Sequence, residues 1–135
     1  MTKRKVYVAF DYDDLDVKQN LLAQSQLVDC PFDLIDNSID RQVLVRWEVE
    51  VRRRISISDC VIVLCGEQTH QAAGVAKEVQ IAQELGKPYF LLAATRTGTP
   101  TRPLQVRTTD RIWRWRWPTV VALLEGKTPP ADAAL

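Results

Sequence analysis

Glu78 lies in GVAKEVQIAQELGKP, residues 74 to 88, a stretch with the period of a helix packed on one side. At about 100° per residue, Val75, Val79, Ala82 and Leu85 share one face, and Glu78 projects between the positions of Ala82 and Leu85. Lys77, Gln80 and Glu84 fall on the other side, so Glu78 is the charge that faces inward. Burial there raises a carboxyl pKa, while the nearby helix N-terminus favours the ionised form. A carboxylate that stays charged in a restricted pocket suits offsetting a positive centre, as in glycosyl transfer through an oxocarbenium-like sugar. The structural alternative is a buried-edge carboxylate paired with an arginine or a hydroxyl.

Other chemistry-bearing residues are few. His70 is the only histidine, which leaves a His-dependent triad a single candidate. Cys30, Cys60 and Cys65 form no CxxC pair, and three thiols cannot all pair within one chain. Without Cys or His neighbours at ligand spacing, no metal site is expected. Cys60 and Cys65 flank Val-Ile-Val-Leu and read as small buried strand residues in a reducing compartment.

A chain of 135 residues with 46% hydrophobic and 26% charged residues fits one compact domain. The formal charge of +1 argues against a phosphate-backbone binder and leaves small-ligand binding open, so nucleic acid is not an expected partner. The start, MTKRKVYVAFDYDD, turns acidic too soon for a signal peptide or a membrane span, which gives a cytoplasmic expectation with no membrane partner.

The elements that must position Glu78 follow from the apolar pattern. Lys5 to Phe10 (KVYVAF) predicts a strand ending at Asp11, Asp13 and Asp14, followed by a helix through Val17, Leu21, Leu22 and Leu27. Phe32 to Ile35 predicts a short strand closed by Asp36-Asn37-Ser38, and Asp59 to Cys65 a fully buried strand closed by Gly66. The Glu78 helix comes next, then a strand over Pro88 to Ala93. Residues 43 to 51 alternate like a half-buried strand, yet Leu44, Trp47, Val51 and Ile55 also form a helical stripe. A parallel sheet needs a crossover there, so a helix is expected. Arg52, Arg53 and Arg54 suit the negative end of that helix, with an anion site as the lesser reading.

Further on, TRTGTPTRP (95 to 103) is a loop placed to border a pocket. IWRWRW (112 to 117) reads either as an edge strand whose indoles pack on one face or as a surface that stacks on bases. Pro118 opens a last helix that Gly126 ends, and TPPADAAL reads as a disordered tail. The expected architecture is α/β: one flavodoxin-like domain over residues 1–126, with a parallel sheet of about five strands and helices on both faces, and a disordered tail at 127–135. In such sheets ligands bind beyond the carboxyl ends of the strands, on the side where Glu78 begins its helix.

The segments KVYVAFDYDD, RRRISISDCVIVLCGEQTH, GVAKEVQIAQELGKP and IWRWRWP, in this order and spacing, resemble the TIR-like domain of bacterial Thoeris anti-phage systems over about residues 4 to 125. The order, the spacing and the phrase VLCGEQT together carry the likeness. The resemblance implies a TIR fold and cleavage of the nicotinamide glycosidic bond of NAD, with NAD as substrate and no cofactor. It also implies a cyclic ADP-ribose type signal read by a separate effector protein. It makes Glu78 the catalytic glutamate, with Phe10, Asp11 and Tyr12 at the end of the first strand and Asp36, Asn37 and Ser38 after the second as the pocket. Relatives commonly carry a tryptophan four residues before the glutamate, where this chain has Gly74.

Two other readings stand beside it. EVQIAQELGKP is also similar to the catalytic-glutamate helix of nucleoside deoxyribosyltransferases, whose substrate would be a nucleoside. A non-catalytic TIR scaffold or sensor, acting through contacts with a second copy, is favoured by Gly74. A response-regulator receiver would need an aspartate at the end of the third strand, where this chain has Cys65-Gly66.

Overall fold

The computed structural model describes residues 4–11, 14–25, 32–34, 44–95 and 98–135. Five strands, β1 (Arg4–Ala9), β2 (Phe32–Leu34), β3 (Cys60–Cys65), β4 (Tyr89–Ala93) and β5 (Ile112–Trp113), form one sheet in the order β2-β1-β3-β4-β5. Every neighbouring pair is parallel. Among the described residues four α-helices connect and cover it: α1 (Leu15–Ser25), α2 (Leu44–Ser56), α3 (Ala73–Glu84) and α4 (Trp117–Leu124). The chain turns in opposite directions from β1 to β2 and from β2 to β3, which puts the topological switch between β1 and β3.

Strand alternation divides the core into two layers. Val6, Val8, Ile62, Leu64 and Leu92 face Leu21 of α1 and Val120 and Leu124 of α4. Tyr7, Ala9, Val61, Val63 and Leu91 face Val51 and Ile55 of α2 and Val75, Val79 and Ala82 of α3. All six residues of β3 are buried because helices lie on both of its faces, which is why its sequence is an unbroken apolar run rather than an alternating one.

The crossover segment is helical from Leu44 to Ser56, as its tertiary role requires, with Val51 and Ile55 fully buried and Trp47 packed beside them. Alternation alone would have made it a strand, and Val49 shows the difference: it belongs to the alternating set but lies 66% exposed. The arginine run is held by carboxylates rather than forming an anion site. Arg52 pairs with Glu84 of α3 and with Glu48, Arg53 and Arg54 pair with Glu50, and Lys77 of α3 reaches Glu48 at 3.3 Å. Arg52–Glu84 and Lys77–Glu48 cross between α2 and α3, and the other pairs lie within α2. The Arg52–Glu84 hydrogen bond raises the arginine pKa and lowers that of Glu84.

Three expectations are corrected. Leu85, placed on the buried face of its helix, lies at the C-cap beyond the last turn and is 38% exposed, while Ile81 is buried in α3 instead. IWRWRW gives only two strand residues. The Arg116 amide donates to the Arg114 carbonyl, bending the chain there, and Trp117 already belongs to α4, with Pro118 in its first turn and Gly126 at φ 78 beyond its end. Residues 127–135 are not a disordered tail. The Arg114 amide donates to the Ala133 carbonyl and the Leu135 amide to the Ile112 carbonyl, Trp113 bridges Ala134, and Ala133 is buried. An edge strand presents unpaired backbone groups, and this segment satisfies them.

Cys60 and Cys65 are buried free thiols, as their strand position requires. Burial pushes their pKa values up to about 11 and about 12. With a pKa of about 11, roughly one thiol in a thousand is ionised at pH 8. Native protein treated with iodoacetamide at pH 8 is therefore expected to stay unmodified at Cys60 and Cys65. Peptide mass analysis checks this, and rapid labelling at either position would contradict the buried strand.

Candidate functional site

β3 ends at Gly66, and the backbone there is fixed by its neighbours. The Gly66 amide donates to Thr69 Oγ1 at 2.7 Å within a 3-10 turn, Thr69–Gln71, that leads into α3. Gly66 also allows close approach from the β1 side, since a Cβ at this position would lie 2.2 Å from the Asp14 carboxylate. The loop after β4 then closes over the same segment. The Thr101 hydroxyl donates to the Gly66 carbonyl at 3.0 Å and accepts from the His70 amide at 2.9 Å, while the His70 Nδ1 lies 3.0 Å away. His70 thus has a structural partner in Thr101, whose hydroxyl is held by the Gly66 carbonyl. Gly98, at φ 91, brings the loop so close that a Cβ would meet the Glu67 carboxylate at 1.9 Å.

These hydrogen bonds tie the carboxyl ends of β3 and β4 into one rim. Thr101→Val keeps side-chain shape but removes the shared hydroxyl, and is expected to cost about 1 kcal/mol. Urea unfolding with an unchanged m-value would measure this; a loss below about 0.3 kcal/mol would show that the clamp contributes nothing.

Glu78 is 3% exposed. Tyr7, in the middle of β1 and itself buried, donates its phenolic hydroxyl to Glu78 Oε2 at 2.5 Å. Five residues into α3 corresponds to a descent of about 7.5 Å along the helix axis. The carboxylate therefore lies between the sheet and α3, beneath the switch between β1 and β3, rather than at the mouth of the crevice. Tyr7 was not anticipated as a site residue. Its signal was present: in a valine-rich buried strand a tyrosine hydroxyl needs a polar partner, and the alternation of KVYVAF puts it on the face opposite Val6 and Val8.

The remaining expected residues separate. Phe10 continues the alternation of β1 and packs against the α1–α4 layer with Lys18 5.7 Å over its ring, on the other side of the sheet from Glu78. Asp11 lies just past β1, where its carbonyl accepts from the Asp14 amide at 2.8 Å. Tyr12, Asp36, Asn37 and Ser38 lie outside the described residues. Gly74 occupies the first turn of α3. Among the described residues no group of three or more His, Cys, Asp or Glu side chains could hold a metal ion, and no helix is long and apolar enough to cross a membrane.

The family described as Thoeris protein ThsB, TIR-like domain, matches residues 7–97. The chain belongs to that family. The match begins at Tyr7, spans Glu78 and ends within the loop after β4. It is shorter at both ends than the likeness traced through the sequence motifs, so IWRWRWP lies outside it. Among solved structures, a prokaryotic SEFIR domain is similar at a TM-score of 0.55 and 16% identity, covering 96% of this chain and 99% of that one. This similarity supports the TIR-like architecture of the ThsB-family chain. No curated protein matches it.

Proposed function

We propose that this domain cleaves the nicotinamide glycosidic bond of NAD in anti-phage defence, with Glu78 as the carboxylate at the nicotinamide ribose. The observation that carries the reading is a buried carboxylate under the β1–β3 switch, fixed by Tyr7 in a chain of the ThsB family. As the bond from C1′ to the pyridinium nitrogen breaks, its electron pair leaves with nicotinamide and positive charge grows on the ribose. A carboxylate in a water-poor site offsets that charge. Water at C1′ then gives ADP-ribose and a proton, or an adenine nitrogen gives a cyclic product for an effector protein to read. Asp11, and Tyr12, Asp36, Asn37 and Ser38 beyond it, are the proposed contacts to the substrate. Phe10 lies on the far side of the sheet and contributes only if the end of β1 rearranges.

A second reading, a non-catalytic scaffold or sensor, is favoured by the burial of Glu78 and by Gly74 in the place of an indole. In the enzyme reading the closed position of Glu78 means that substrate enters only after the rim opens, as assembly of several copies would bring about. Incubating concentrated protein with NAD and, separately, with deoxynucleosides separates the possibilities. Release of nicotinamide supports the proposal, release of free nucleobase would reassign the chemistry to deoxyribosyl transfer, and stable substrates in assembled samples would favour the scaffold.

A further inference from the structure

Two adjoining cavities lie near β5, the larger at the carboxyl ends of β4 and β5 and the smaller beside the start of β5. One, of about 840 Å³, is lined by Asn20, Thr95, Arg114, Trp115 and Arg116 together with apolar residues. The other, of about 550 Å³, adds Arg102 and Arg111, and the two share Gly98, Pro100 and Leu135. Among the described residues lining them there are four arginines and no aspartate or glutamate. In a chain with a net charge of +1, this concentration of positive charge is local. The arginines of α2 are taken up by carboxylates. By contrast, Arg111, Arg114 and Arg116 form no ion pair among the described residues.

The larger cavity falls within the size range of small-ligand sites. Guanidinium groups recognise phosphate oxygens through forked hydrogen bonds, and a partly exposed indole offers a face for a flat ring. Val17 and Trp115, which line this cavity, pack against the α1–α4 layer, whereas Tyr7 and Glu78 lie under α3 on the other side of the sheet. Arg114, Trp115 and Arg116 also lie beyond the segment that the ThsB family matches.

We propose that these cavities bind a nucleotide, a phosphate ester carrying a flat base, at a site separate from Glu78. Arg114 and Arg116 hold the phosphate and Trp115 stacks on the base. Occupancy of this site and cleavage at Glu78 are then independent events, so failure of either reading leaves the other standing.

Calorimetric titration of the full chain with AMP, adenosine and inorganic phosphate tests the proposal. AMP is expected to bind, with adenosine and phosphate each at least about tenfold weaker, since each lacks half of the recognition. Joint substitution Arg114→Gln and Arg116→Gln should weaken AMP by about tenfold or more without lowering the melting temperature, because both side chains are exposed. Added salt should weaken AMP binding to the unmodified protein, a readout that needs no variant. Glu78→Gln should leave AMP affinity within about twofold. Absence of AMP binding at millimolar concentration, equal affinity for AMP and adenosine or for AMP and phosphate, salt-insensitive binding, an unchanged double variant, or loss of AMP binding in Glu78→Gln would each overturn it.

Discussion

Glu78→Gln is expected to slow nicotinamide release from NAD by about a hundredfold to a thousandfold while the domain remains folded. Glutamine keeps the volume of the side chain and an oxygen that can accept from Tyr7, so the packing between β1 and α3 survives. What disappears is the negative charge, and with it the term that offsets the developing charge at C1′. The size follows from the burial of Glu78: a charge that acts from a site only 3% exposed is poorly screened by solvent. Glu78→Asp retains the charge but retracts it by one methylene, and an intermediate rate is expected. Initial rates of nicotinamide release, read with melting curves of the same samples, separate lost chemistry from lost structure. A folded Glu78→Gln variant with the rate of the parent protein would remove Glu78 from the reaction.

Tyr7→Phe is expected to cost about 1–3 kcal/mol of folding free energy, because it removes a hydroxyl donor from a carboxylate that cannot turn to bulk water. For a domain whose whole stability is about 5–15 kcal/mol, this is a large share. The same substitution should cost less in the Glu78→Gln background, since the bond to a neutral amide oxygen is weaker, and the difference is the coupling between the two residues. Urea unfolding of the two single variants and the double variant measures it. Equal losses in both backgrounds would mean that the charge of Glu78 adds nothing to the 2.5 Å contact. Tyr7 acts here as a positioning residue. In the enzyme reading, its loss should lower the rate of nicotinamide release less than Glu78→Gln does, because the charge remains.

The α/β layout was legible because β3 carries the continuous apolar run of a strand covered on both faces, and because GVAKEVQIAQELGKP has a clear helical stripe. The inward direction of Glu78 followed from that stripe alone. Its depth did not, because helical periodicity gives an angle around an axis, whereas burial against Tyr7 depends on how far α3 slides along β1. Residues 43–51 satisfy two periods at once in sequence, and only the need for a crossover between parallel strands favours the helix α2. The last nine residues were misread for a related reason. A short run of Thr, Pro and Ala has no periodicity of its own, yet β5 leaves backbone groups open at the sheet edge and the segment hydrogen-bonds to them. Phe10 shows the limit of carrying a pocket over by sequence position. A strand alternates faces at every residue, so adjacent positions such as Ala9 and Phe10 lie on opposite sides of the sheet.

The activity proposed for this domain is cleavage of the bond between nicotinamide and ribose. The most direct measurement is chromatographic separation of the products formed from NAD by a concentrated, assembled sample, with Glu78→Gln run in parallel. Nicotinamide is expected in equal amount to ADP-ribose or a cyclic form of it, with at most traces of either from the variant. NAD left intact by the unmodified protein, cleavage into AMP and nicotinamide mononucleotide, or equal nicotinamide release by both proteins would contradict it.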